Sequence, residues 1–130
     1  MICIDSNCII DFLNGRKEAE DIVSKYMGEL ATTEINVFEI FLGIYQQKNV
    51  DYQEETSAES FFNGITVLSY GIECGKNSAK LLANLKKSGI TVDQNDCHIV
   101  STMLVNGCNK ILTRNKKHFS RFKDIEVISY

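Results

Sequence analysis

Ile2-Cys3-Ile4-Asp5-Ser6-Asn7 sets the reading of the whole chain. Three apolar residues stop at an acid, and a run bounded in that way reads as a short buried strand. Ser6 and Asn7 are strong N-caps, so a helix over Cys8–Leu13 follows at once, stopped by Asn14-Gly15. A strand that passes directly into a helix is the first half of a parallel crossover unit. Asp5, between the two, then stands on the rim where open α/β sheets bind ligands.

Moving outward, the alternation continues. Arg16–Met27 carries Ala19, Ile22, Val23 and Tyr26 at helical spacing, and Gly28 closes it. Glu29-Leu30-Ala31 is a weak second strand, after which Thr32 and Thr33 cap a helix running to about Gln47. A second helix, Tyr52–Phe62, ends at Gly64, and Ile65–Leu68 is a third strand. Ile72–Lys87 is a helix with Ala79, Leu82, Ala83 and Leu85 inward. Ile90-Thr91-Val92 is extended, and Asp93 or Asn95 caps a helix over Asp96–Val105. Lys110–Leu112 is a fourth strand, Lys116–Phe122 a short basic turn or helix, and Ile125–Ile128 a last strand. Strands alternating with helices predict an α/β fold: a three-layer α/β/α sandwich with a central, mainly parallel sheet of four to five strands, in one domain spanning residues 1–130.

Hydrophobic residues make up 44% of the chain and charged residues 24%, which suits a single globular domain. No apolar run approaches the roughly 18 residues that span a bilayer. The start Met1-Ile2-Cys3-Ile4-Asp5 has neither a basic stretch nor a small-residue cleavage site. These features predict a cytoplasmic protein with no membrane partner. The five cysteines contain no C-x-x-C pair and read as free thiols in a reducing compartment. A net charge of −3 excludes nucleic-acid binding through a whole-surface basic field. It leaves room for a local basic edge, or for a metal ion that offsets acids.

Three acids stand out. Asp5 reads equally well as a helix cap or as a ligand on the strand rim. Glu39 is the odd residue in Val37-Phe38-Glu39-Ile40-Phe41-Leu42. A carboxylate among apolar neighbours is costly unless it pairs or meets a cation. Asn36 at i−3 and Gly43 at i+4 give that helix a polar or small stripe, which fits a face turned to a metal pocket. The competing reading is an exposed Glu on an amphipathic helix, as for Glu34. Asp96 opens a helix that is otherwise apolar on most sides. The helix dipole alone would favour an acid there, but Asp93, just upstream, takes the cap role and leaves Asp96 as the ligand candidate.

Thr113 and Asn115 end the fourth strand with a hydroxyl and an amide, groups that orient water or phosphate oxygen and that also favour turns. The segment after them is basic, with Arg114, Lys116, Lys117, His118, Arg121 and Lys123. It reads as a solvated face or as a hold on a phosphate backbone, and His118 could also carry a proton. Phe38, Phe41, Tyr45, Phe61 and Phe62 exceed what a small sheet needs, so some are expected at an interface.

In order along the chain, four segments resemble the PIN domain, specifically its VapC-like toxin branch. Ile4-Asp5-Ser6-Asn7 is similar to the family's strand followed by Asp-Thr-Asn, with Ser6 in place of threonine. Glu39-Ile40-Phe41-Leu42-Gly43 is similar to its Glu-x-x-x-Gly helix. Asp96-Cys97-His98-Ile99-Val100-Ser101 is similar to its Asp-x-x-Ile-Ala-Ala helix, with Val100 and Ser101 replacing the alanines. Leu112-Thr113-Arg114-Asn115 with His118-Phe119 resembles its Thr-Arg-Asn-x-x-Asp-Phe ending.

The resemblance covers nearly the whole chain. It implies Mg²⁺ or Mn²⁺ held by Asp5, Glu39 and Asp96, and hydrolysis of RNA phosphodiester bonds with Asn115 added to the catalytic set. It also implies a homodimer and a small antitoxin as partner, and the rim and basic residues Ser6, Asn7, Thr113, Arg114, Lys116, Lys117 and His118 are then the expected substrate contacts. Many relatives carry a fourth acid at the position of Asn115 or His118; both are uncharged here at neutral pH, which argues against a tightly held second metal. Crowded carboxylates repel, so raised pKa values are expected at the empty site. Other readings are an RNA-processing nuclease of the same fold, a non-cleaving module that binds RNA or protein, and a phosphate-receiving α/β domain. In the last, Glu39 has no role.

Overall fold

Ile2, Cys3 and Ile4 form the central strand, β1 (Ile2–Ile4), and all three are buried. Ile2 and Ile4 enter one core and Cys3 the other. A strand covered on both faces is apolar throughout, which is why no polar residue interrupts it. The computed structural model describes all 130 residues. After β1 come α1 (Ser6–Leu13), α2 (Lys17–Tyr26), β2 (Leu30–Thr33), α3 (Glu34–Tyr45), α4 (Tyr52–Asn63) and β3 (Thr66–Leu68). Then follow α5 (Ile72–Lys87), α6 (Gln94–Val105), β4 (Lys110–Leu112), α7 (Lys116–Phe119) and β5 (Glu126–Ile128).

The five strands lie in the order β3-β2-β1-β4-β5, and every pairing is parallel. The chain lays β2 and β3 on one side of β1, then returns to place β4 and β5 on the other. Crossovers therefore leave β1 and β4 in opposite directions, and a crevice opens between their C-terminal ends. On one face Ile4, Ile9, Val23, Ile40 and Leu112 join the sheet to α1, α2 and α3, with Ala58 of α4. On the other, Cys3, Ala31, Val100, Met103 and Ile111 join it to α6, and Phe119 of α7 packs there too. This is the α/β/α sandwich expected. A fully buried aliphatic side chain contributes about 1.5–3 kcal/mol. The 0% exposed Ile4 thus anchors the backbone that presents Asp5.

Several local expectations change. α1 begins at Ser6 with Asp5 in the N-cap position, so Ser6 and Asn7 are helical residues and not its caps. Asp5 itself makes no capping bond, because its carboxylate is engaged across the crevice. Thr33 alone caps α3, while Thr32 stays in β2 and donates to the Ile4 carbonyl. Asp93 caps α6, accepting from the Asn95 N–H at 2.7 Å. In α5, Ala79 and Ala83 face solvent, and the inward side chains are Cys74, Ser78, Leu81, Leu82 and Leu85. Gly28, at φ 94°, turns the chain from α2 into β2 in a conformation that other residues rarely adopt. All five cysteines are free and buried. No helix is long and apolar enough to cross a membrane.

Candidate active site

The Asp5 backbone N–H donates to the Leu112 carbonyl at 3.0 Å, which brings the end of β4 beside the end of β1. The next residue on β4's side, Thr113, then donates from Oγ1 to Asp5 Oδ2 at 2.9 Å. Asn36 of α3 donates from Nδ2 to Asp5 Oδ1 at 3.4 Å. Glu39, further along α3, accepts from Ser6 Oγ at 2.7 Å and from Asn95 Nδ2 at 3.5 Å. Asn95 directly precedes Asp96, and His118 Nδ1 lies 3.4 Å from Asp96 Oδ2. Asp5, at the end of β1, and Glu39 are therefore linked through Asn36 and Ser6, while Asp96 lies near enough for the charges of both to act on it.

The electrostatics are unusual for a structural cluster. Asp5 is 5% exposed and Asp96 is 9% exposed. Burial pushes the Asp5 carboxyl up to about 6; hydrogen bonds from Thr113 and the Ser6 backbone oppose it, and the nearby Glu39 charge adds to it. Burial also raises Asp96 to about 6, reinforced by Asp93 and opposed by His118. The pKa values rise as expected, but desolvation exceeds repulsion between the acids as the cause. No Lys or Arg pairs with Asp5, Glu39 or Asp96. Apart from His118, the groups holding them are neutral hydroxyls and amides.

That donor set fits a hard divalent cation. Its acids offer only oxygen, they have no Lys or Arg partner, and they lie where a sheet of this type binds ligands. No three His, Cys, Asp or Glu side chains stand close enough together to hold a metal ion by themselves. Water and substrate oxygens would have to complete a coordination shell, as Mg²⁺ prefers.

The remaining candidates divide. Thr113 and Ser6 touch the acids directly. Asn115 is half-buried at the start of α7; its N–H donates to Thr113 Oγ1 at 3.0 Å and its side-chain amide is free. Lys116 and Lys117 are exposed on α7, and Asn7 is half-buried on α1. Arg114 turns away from the acids and donates to the buried Asp11 at 3.1 Å, where Tyr130 also donates at 2.6 Å. The Glu39 stripe splits as well: Asn36 faces the acids, while Gly43 lines a groove of about 460 Å³ with Ile10, Leu13 and Ile44. Asn36 and Asn95 belong to the crevice; the sequence put Asn36 on the stripe facing a pocket but made neither a site residue. For Asn36 the signal was present, a polar residue one turn from Glu39 on an apolar helix. For Asn95 there was none beyond a helix start.

The family model described as PIN domain matches residues 2–125. The chain belongs to the PIN domain family. Among curated PIN relatives, Ribonuclease VapC1 of Rickettsia felis is 26% identical over 130 residues, covering 98% of this chain and 95% of that protein. Ribonuclease VapC of Rickettsia bellii is 28% identical over 133 residues, with 98% and 95% covered. Solved structures with the same PIN fold include VapBC2 from Rickettsia felis bound to a fragment of its promoter DNA, with TM-score 0.87 and 18% identity over 100% of this chain and 99% of that one. DNA-bound VapBC from Salmonella typhimurium gives TM-score 0.85 and 19% identity over 98% and 96%. In this PIN domain the crevice between β1 and β4 holds the buried Asp5, and Glu39 and Asp96 lie near enough for their charges to act on one another.

Proposed function

We propose that this PIN domain is a divalent-metal-dependent endoribonuclease that hydrolyses RNA phosphodiester bonds as the toxin of a toxin–antitoxin pair. The observation that carries the proposal is a pair of buried acids, Asp5 and Asp96, with no Lys or Arg partner, near Glu39 at the switch-point crevice. Its likeness to proteins named as VapC ribonucleases and to VapBC complexes supports the substrate class and the antitoxin partner.

Asp5, Glu39 and Asp96 would hold Mg²⁺ or Mn²⁺, which would supply Lewis acidity towards water and the scissile phosphate. Thr113 and Ser6 fix the carboxylate orientations through the bonds above. Asn115, with its free side-chain amide, orients water or a phosphate oxygen at the same rim. Lys116 and Lys117 hold the RNA backbone, and the half-exposed His118 tempers the charge of Asp96. Asn115 and His118 supply no fourth acid, so one metal ion is the working complement. Phe38, Leu42 and Tyr45 leave apolar side chains exposed on α3, surface suited to a second copy or the antitoxin. The working location is the cytoplasm, where the substrate is.

Cleavage of a mixed RNA by the purified chain tests the proposal directly. Expected are products with Mg²⁺ or Mn²⁺, none with EDTA, and none from Asp5→Asn. Normal turnover by Asp5→Asn, or in EDTA, refutes it.

A further inference from the structure

Asn36 is a buried polar residue to which the cleavage proposal gives no part. Its side chain is 0% exposed, on α3 one turn before Glu39. Its Oδ1 accepts from the Thr33 backbone N–H at 3.3 Å and from Thr33 Oγ1 at 2.7 Å. A backbone N–H can only donate, so the atom facing Thr33 must be oxygen, and Nδ2 is forced to the opposite side. There its hydrogens meet Asp5 Oδ1 at 3.4 Å and Ser6 Oγ at 3.0 Å. Ser6 spends its own hydrogen on Glu39 Oε1 at 2.7 Å. One amide orients Asp5 directly and Glu39 through a single hydroxyl.

We propose that Asn36 is a positioning residue, holding the Asp5 and Glu39 carboxylates in the mutual orientation that accepts a divalent cation. This rests on the metal-dependent reading above. An amide suits the task because it offers two donors without charge. A Lys or Arg there would neutralise the acids and compete with the cation. The plainer role is helix capping, and it uses only the Thr33 side of the group. The two sides of the amide can therefore be separated by substitution.

Asn36→Ala loses both sides. Asn36→Asp keeps an oxygen towards Thr33, and so the cap, but loses both donors. Wild type and both variants are compared for melting temperature, for Mn²⁺ affinity by electron paramagnetic resonance, and for kcat and KM on RNA. Asn36→Ala is expected to weaken Mn²⁺ binding and lower kcat, each by roughly 10- to 100-fold, with KM little changed. Asn36→Asp is expected to lose kcat, and its melting temperature should fall further below that of wild type as pH rises, because it sets a second buried acid against Asp5. Wild-type kcat in both variants, with wild-type Mn²⁺ affinity in Asn36→Ala, overturns the inference and leaves a cap. If Asn36→Ala does not fold, Asn36→Ser, which adds no charge, takes its place in all three measurements. A wild type that binds Mn²⁺ but cleaves no RNA overturns the substrate reading, and Mn²⁺ affinity still decides the role of Asn36. A wild type that binds no Mn²⁺ overturns both.

Discussion

Ser6 and Glu39, separated by 33 positions in the chain, meet through a 2.7 Å hydrogen bond in which the serine hydroxyl donates to the carboxylate. Ser6 is the first residue of α1 and Glu39 sits in the middle of α3, so the bond ties two helices of one layer together at the crevice. A hydrogen bond to a charged group is worth about 1.5–3 kcal/mol, enough to hold Glu39 in one rotamer. Ser6→Ala is therefore expected to lower kcat by roughly 10-fold, with the fold retained. Steady-state kinetics and a circular dichroism melt check both halves; an unchanged kcat removes Ser6 from the positioning set.

The raised carboxyls make the pH dependence run in an uncommon direction. Asp5 and Asp96 rise from 3.8 to about 6 on folding. Between those values the folded state binds more protons than the unfolded one, so metal-free stability falls as pH rises through the window and levels off above it. The Asp5 contribution is on the order of 2–3 kcal/mol. In EDTA, the gap in melting temperature between wild type and Asp5→Asn is expected to be wide at about pH 7.5 and to narrow by about pH 5. A constant gap contradicts the burial account.

Cleavage should follow the opposite course. Protonated acids do not bind the metal, so turnover is expected to fall as pH drops through about 6, the value to which both Asp5 and Asp96 are raised. Higher Mg²⁺ should shift the midpoint downward, because metal competes with protons for the same oxygens. A profile insensitive to Mg²⁺ concentration would count against a shared site.

The Asp11 cluster offers a contrast between stability and activity. Asp11 is 7% exposed and accepts from both Tyr130 and Arg114. Tyr130→Phe is expected to destabilise the protein by about 1.5–3 kcal/mol by removing one donor to a buried charge. Turnover at a permissive temperature should stay within a factor of two or so, since a conservative substitution away from the reacting groups leaves transition-state contacts intact. Denaturant melts and kinetics separate the two effects. A large loss of turnover with little loss of stability would place this cluster in the catalytic machinery.

Lys116 and Lys117 are exposed on α7, next to Asn115. If they hold the RNA backbone, Lys116→Ala/Lys117→Ala should raise KM without changing kcat. It should also flatten the dependence of log KM on log salt by about 1.4 for a single strand. An unchanged salt slope makes them merely solvated surface.

Much of this molecule was legible in order of sequence. The boundaries of β1, α5 and β4, and the candidacy of Asp5, Glu39 and Asp96, depend on local apolar runs, caps and glycine stops, which a chain carries wherever it folds. Even there, Ser6 was misplaced as a cap, because its hydroxyl had a better acceptor in Glu39 than any local amide. Arg114, read as a contact for RNA, also bonds a buried carboxylate on α1, a partner that no local pattern signals.

What only the tertiary structure decided is which residues face one another once β4 pairs beside β1. That pairing puts Thr113 on Asp5 across 108 positions, and it follows from the order of strands, which no local pattern encodes. The role of Asn36 arises in the same way: its bond to Thr33 is local, but Asp5 and Ser6 come within reach of its amide only after the layers pack. Residue types and their local periods set what could be placed at the crevice; desolvation and long-range hydrogen bonds selected how it is oriented there.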